Sequence, residues 1–188
     1  TRPGPPRPGP GGLRWGPYRN RRRARLVAGD EPGAWSIVER ALVSGAPAQD
    51  VHLELVVPVL RDIGDAWAAG EFDIADEHRA SSVADRIIGR LGPSFARRGR
   101  KRGTIIIGVA AGDQHSLPLS ILGDIIRGQG CAVVDLGAHT PPESFVESVR
   151  THSDVVRAPL VCRPPPRLEP ARTTAPSPPQ HTPTPHTP

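Results

Sequence analysis

Asp113 and His115 stand two residues apart in Gly112-Asp-Gln-His-Ser-Leu117, and their types suit a metal ligand with its orienting partner. An imidazole can bind a transition metal through one ring nitrogen, while a nearby carboxylate accepts a hydrogen bond from the other. Such a carboxylate fixes the tautomer and raises the basicity of the ligating nitrogen. One His and one Asp fall short of a zinc site. They suit a metal that arrives with most of its ligands already supplied by a cofactor. A second constellation lies upstream, in Trp67-Ala-Ala-Gly-Glu-Phe-Asp-Ile-Ala-Asp-Glu77-His78. Trp67 offers a broad apolar face, Glu77 an acceptor and His78 a ring able to seal a pocket. By residue type alone, the favoured reading is that Trp67 is a core residue and Glu77 and His78 a solvated helix face. No nucleophile, acid/base pair or phosphate-cradling Gly loop accompanies either group, so the chain is not expected to be an enzyme.

These residues need elements to hold them. Val56, Leu60, Ile63 and Trp67 fall on one stripe of a helix that begins near Ala48 or Gln49, with Pro58 as a kink point. Gly70 ends that helix, and Asp73 caps a second carrying Ile74, His78, Val83, Ile87, Ile88 and Leu91. With Ala34 to Leu42 and a short stretch from Arg22 to Ala28, four antiparallel helices make a bundle over residues 20–97. From Gly103 the period changes. Thr104-Ile-Ile-Ile-Gly-Val-Ala110 reads as a buried parallel strand, followed by a helix from about Leu117 to Arg127 with Pro118 in its first turn. Cys131-Ala-Val-Val-Asp-Leu136 supplies a second strand. Thr140-Pro-Pro-Glu143 predicts a capping box opening a helix through Val149. Asp154 to Cys162 offers a third strand. In such open parallel sheets ligands sit beyond the carboxyl ends of the strands, where Gly112–His115 and Gly137–Thr140 both lie.

The charge is unevenly distributed. The 188 residues carry a formal charge of +5, yet residues 1–25 hold eight Arg and no acid, and the stretch 26–156 is net acidic. A basic tail beside an acidic middle is weak support for a DNA-reading surface, and no helix-turn-helix is recognisable before residue 30. Residues 1–19 and 163–188 are Pro-rich and poor in aliphatic side chains, so both are expected to be disordered tails. The abrupt change near Arg157 also fits a sequence truncated or frameshifted at its C-terminus. No apolar run spans a membrane and no signal-peptide h-region is present. Two cysteines without CxxC spacing fit a reducing cytoplasm, which is the expected location.

Taken together, the two motifs resemble cobalamin-binding proteins. Gly112-Asp-Gln-His-Ser-Leu117 after Ile105-Ile-Ile-Gly-Val-Ala110, then Val133-Val-Asp-Leu-Gly-Ala-His-Thr-Pro-Pro-Glu-Ser-Phe145, is similar to the first half of a cobalamin-binding domain. Trp67, nine residues and Glu77-His78 is similar to the helical cap of the CarH-type adenosylcobalamin photoreceptors and their freestanding relatives. The resemblance implies a two-part α+β architecture: a four-helix cap bundle at 20–97, and a partial Rossmann-like (flavodoxin-like) parallel α/β domain at 103–162. It implies that His115 is the lower axial ligand of cobalt, oriented by Asp113. Trp67, Glu77 and His78 would cover the upper ligand, while Ser116, Leu117, Gly137 and Thr140 would line the corrin from the sheet side.

The sequence also departs from that pattern. Pro118 stands where the loop signature has Gly, three residues after the His, and Ala68 follows Trp67 where a His would offer a second axial ligand. The Ser-containing and Gly-Gly loops that line the buried nucleotide tail have no counterpart. Methyltransferase corrinoid carriers share the His loop but continue Asp-Ile-Gly-Lys, whereas this chain continues Ser116-Leu-Pro-Leu119. The expectation is therefore an adenosylcobalamin-binding sensor module acting with a separate DNA-binding or signalling protein, with homo-oligomers allowed. The alternatives are a corrinoid carrier for a methyltransferase, holding methylcobalamin, and a truncated remnant that binds nothing.

Overall fold

The computed structural model describes residues 14–152 and 154–160. Most of the two expected tails, together with Cys162, lies outside the described residues.

The helical part begins earlier than its periodicity predicts. Helix α1 spans Trp15–Val27, so five residues assigned to the N-terminal tail are helical. Trp15 and Tyr18 pack against the bundle core, and Leu26 is buried in it, which gives this Arg-rich segment enough apolar contact to order. Helix α2 spans Glu31–Val43, and the Asp30 side chain caps it by accepting from Gly33 N at 2.9 Å. The third rod is continuous in backbone angle from α3 (Ala48–Asp50) through a π-helical stretch, Val51–Val56, into α4 (Val57–Ala68).

Pro58 explains the π stretch. Its ring has no N–H, so the carbonyl of Glu54, four residues upstream, loses its α-helical donor. Arg19 of α1 supplies one instead: its Nε donates to Glu54 O at 2.6 Å, and its terminal nitrogen donates to the Glu54 carboxylate at 2.9 Å. Helix α5 spans Ile74–Leu91 and opens with the expected Asp73 cap, which accepts from Asp76 N at 2.7 Å. Val83, Ile87, Ile88 and Leu91 are buried, but Ile74 and His78 lie on the exposed side of its first turns. A 3₁₀ turn, Gly92–Phe95, leads out of the bundle.

The sheet has three parallel strands in the order β2-β1-β3, with β1 at Thr104–Ile107, β2 at Ala132–Asp135 and β3 at Val155–Leu160. The β1–β3 register is irregular, and Pro159, which cannot donate to a ladder, lies in the outer strand of this sheet. Helix α6 spans Ser116–Gly128 and α7 spans Pro142–Thr151. The capping box predicted for α7 does not form. Thr140 turns its hydroxyl back to donate to Leu136 O and Gly137 O, both at 3.0 Å, and Pro141 takes the cap position.

Helix α6 joins the two parts. Leu117, Ile121 and Ile125, spaced by four, pack on the bundle core. Leu119 and Ile126 pack on the sheet with Ile107, Val109 and Val133. Gly123 lets the helix approach the sheet closely: an added Cβ would stand 3.2 Å from Ile107 Cδ1.

Candidate functional site

The site forms where β1 and β2 end. The pairing of the two strands continues past their last residues: Val109 N donates to Gly137 O at 2.9 Å, and Thr140 N donates to Val109 O at 2.8 Å. Ala110 and Thr140 make an isolated parallel bridge. Two further bonds tie the loops together, His139 N to Asp113 O at 2.9 Å and Gly112 N to His139 Nδ1 at 2.8 Å. Gly112 (φ 94°) and Gly137 (φ 79°) take the left-handed turns these loops require, and His139 (φ 53°) does so without being glycine.

This lacing fixes Asp113 and His115. The Asp113 carboxylate accepts from His115 N at 3.0 Å and lies 2.5 Å from His115 Nδ1 through the same oxygen, Oδ1. A carboxylate only accepts, so Nδ1 carries a proton, and in the neutral ring Nε2 then keeps its lone pair. His115 is the residue before α6 and its side chain is about half exposed (54%), while the Asp113 side chain is largely covered (13%). Partial burial would raise the Asp113 carboxyl, but the bonds from the backbone N–H and ring of His115 outweigh it and hold the group below the ordinary carboxylate range. Its other oxygen, Oδ2, is buried without a hydrogen-bond partner among the described residues.

The other expected site residues are dispersed. Ser116 is exposed at the first turn of α6, and its backbone N donates to Gln114 O at 3.0 Å. Leu117 faces the bundle core, and Thr140 is buried with its hydroxyl committed to backbone carbonyls. Trp67, near the end of α4, is half-buried. Glu77 accepts from Ser81 Oγ at 2.7 Å, and His78 Nε2 lies 3.7 Å from the Glu77 carboxylate with its side chain 71% exposed. The strand ends thus bring Asp113, His115, Gly137 and Thr140 to one edge of the sheet. Glu77 and His78 meet each other on the bundle.

Two structural groups carried no clear sequence signal. His139 closes the loops, but its role depends on a left-handed backbone and a bond across 27 residues. Buried His52 shares the carboxylate of buried Asp124 with Arg127: His52 Nε2 stands 3.1 Å from Oδ2, and Arg127 donates to Oδ1 at 3.1 Å. His52 also stacks on Phe95, ring centroids 4.9 Å apart. The available signal was Asp124 itself, an acid interrupting Ile121-Leu-Gly-Asp-Ile-Ile126.

Among the described residues no group of three or more His, Cys, Asp or Glu side chains is arranged to hold a bare metal ion. The donor set is one imidazole with a positioned carboxylate, which fits a metal whose remaining ligands belong to a cofactor such as a corrin. No helix among the described residues is long and apolar enough to cross a membrane.

Comparison with known proteins points the same way. Residues 18–91 match the family model described as a B12 binding domain. A corrinoid protein of Desulfitobacterium hafniense (strain Y51) is 25% identical over 138 residues, covering 71% of this chain and 64% of the relative. Trimethylamine corrinoid protein 2 of Methanosarcina acetivorans is 28% identical over 124 residues, covering 64% of this chain and 57% of the relative. The chain thus spans less than two thirds of the length of these curated relatives. The monomethylamine corrinoid protein of Methanosarcina barkeri superposes with a TM-score of 0.63 at 22% identity, over 71% of this chain and 63% of that one, which shows a shared fold. A helical bundle followed by a small parallel sheet, with a B12 binding domain match over the bundle, makes this chain similar to corrinoid proteins across both of its parts.

Proposed function

We propose that this chain binds a corrinoid through His115 and carries it for a methyltransferase partner. The observation that carries the proposal is the Asp113–His115 pair in the loop after β1, its Nδ1 proton directed to a carboxylate, which leaves the Nε2 lone pair of the neutral ring for a metal. When bound, the corrinoid would supply a cobalt centre able to hold and release an alkyl group. The chain's own residues would hold and orient that centre. Asp113 keeps His115 in the ligating tautomer, and His139 ties both loops in place. Trp67 and the Glu77–His78 pair on the bundle are the groups offered to the upper face. The likeness to methylamine corrinoid proteins favours the carrier role over the sensor role. The Trp67-to-His78 spacing supports the second reading, an adenosylcobalamin sensor.

Cobalamin retained after gel filtration, followed by electron paramagnetic resonance of the cobalt(II) form, tests the ligand. Nitrogen hyperfine structure in the wild type that changes in His115→Ala supports it. Retention with identical spectra in both proteins would refute it. Methylcobalamin turnover with a methyltransferase, against green-light release from an adenosylcobalamin complex prepared in the dark, separates carrier from sensor.

A further inference from the structure

We propose that the loop joining the bundle to the sheet binds the phosphate oxyanions of a polyphosphate chain. Between Asp85 and Asp113 the sequence has no acid, and within six positions it places Arg97, Arg98, Arg100, Lys101 and Arg102. All five are exposed, and none makes an ion pair among the described residues. Arg19, Arg25, Arg79 and Arg86, by contrast, each meet a carboxylate, and the described cations that do not are not gathered five within six positions. Like charges held together without counterions repel, and an anion relieves that repulsion.

The loop is shaped as well as charged. Gly99 (φ 99°) and Gly103 (φ 144°) turn it, Lys101 Nζ donates to Arg97 O at 2.8 Å, and Arg102 N donates to Gly130 O at 3.0 Å. The result is a cleft of about 210 Å³ lined by the five cations with Gly99, Gln129 and Gly130. A Cβ on Gly130 would stand 3.7 Å from Arg102 Cδ and 4.0 Å from Arg97 Cδ, so two arginine stems converge on this glycine.

The lining selects the ligand class. It contains no acid, no aromatic ring and no aliphatic side chain, so it recognises the anion itself and gives a base nothing to stack on. Guanidinium forks match phosphate oxygens with paired N–H donors. An acidic peptide would bring backbone amides that also need partners, and Gln129 is the one neutral polar side chain in the lining. The loop enters the start of β1, and Gly130 lies just before β2, whereas Asp113 and His115 follow the far end of β1. Occupying this cleft therefore leaves the His115 edge open, and the inference does not depend on corrinoid binding.

The test is calorimetry on the full chain at low salt with inorganic tripolyphosphate, a mixed-sequence DNA duplex and polyglutamate. Arg97→Gln/Arg102→Gln is compared with Arg21→Gln/Arg61→Gln, which removes two exposed cations elsewhere that make no ion pair among the described residues. The loop variant should weaken tripolyphosphate binding by about tenfold or more, as expected from losing two charge-assisted contacts, and the control by less than about threefold. Loop-dependent binding of DNA as well identifies a nucleic-acid backbone as a source; loop-dependent binding of tripolyphosphate alone identifies free polyphosphate. Equal losses in the two variants, no phosphate binding, or polyglutamate binding as tightly as tripolyphosphate would overturn the proposal.

Discussion

Breaking the His52–Asp124 contact should separate the two parts of the molecule energetically. Asp124→Ala removes the acceptor of both His52 Nε2 and Arg127, and His52 is wholly buried with its Nδ1 already lacking a partner among the described residues. Leaving a buried polar group unpaired costs ~1–3 kcal/mol, and removing one partner of a buried ion pair costs ~3–5 kcal/mol. Arg127 is more than a third exposed and regains water, so its share is discounted. The expected loss is therefore about 2–4 kcal/mol, a large part of a typical domain's stability. Urea unfolding of wild type, Asp124→Ala, His52→Phe and the double variant closes a cycle. His52→Phe keeps a ring stacked on Phe95 while deleting the polar contact. A coupling of about 1–3 kcal/mol is expected for a direct charged hydrogen bond. Coupling below about 0.5 kcal/mol would show that burial alone, and not this bond, joins the parts.

Three other perturbations follow from the same geometry. Gly108→Ala places a Cβ 2.7 Å from Phe145 Cζ and 3.2 Å from Leu136 Cβ, so it should cost about 1–3 kcal/mol in urea unfolding; an unchanged midpoint would mean α7 is not packed on β1 as described. Arg22 is buried with no hydrogen-bond partner for its guanidinium among the described residues, and burial lowers its pKa to about 10 while leaving it charged at neutral pH, so Arg22→Met should raise stability by about 1–4 kcal/mol, and a lower melting temperature contradicts this. Asp30 is held below the usual carboxylate range by Gly33 N–H and by Arg25, so its contribution is complete above about pH 4 and disappears as pH falls through the lowered folded value; Asp30→Asn should make the acid limb shallower, and an identical limb would refute that.

How much of this was legible depended on how local the cause was. The cap at Asp73, the helix ending at Gly70 and the switch from helical to strand periodicity at Gly103 each follow from a few adjacent residues, and each is present. The Asp113–His115 contact was also local, since a two-residue spacing lets a carboxylate reach back to the following N–H and ring. What failed was where local options competed. Thr140 had both a cap geometry and a backward bond available, and the strand-end bridge to Ala110 selected the second. The start of α1 was hidden because Arg and Gly at 14–25 score poorly as a buried face, yet Arg19 supplies the donor that Pro58 removes from another helix.

That last contact and α6 together tie the site to the bundle although its sheet is small. His115 immediately precedes α6, so its position follows the helix and not the loop alone. Helix α6 is fixed on three sides: Leu119 on the sheet, Ile121 in the bundle core, and Asp124 on His52. His52 in turn lies in the π stretch that Pro58 imposes and Arg19 satisfies. A π turn adds a residue per turn and rotates the side chains before it relative to those after it, so the residues preceding Pro58 set where His52 points. The helix that follows a candidate cobalt ligand is thus tied, through Asp124 and His52, to a stretch shaped by a proline and an arginine in the bundle, residues that by sequence look like a kink and a surface charge.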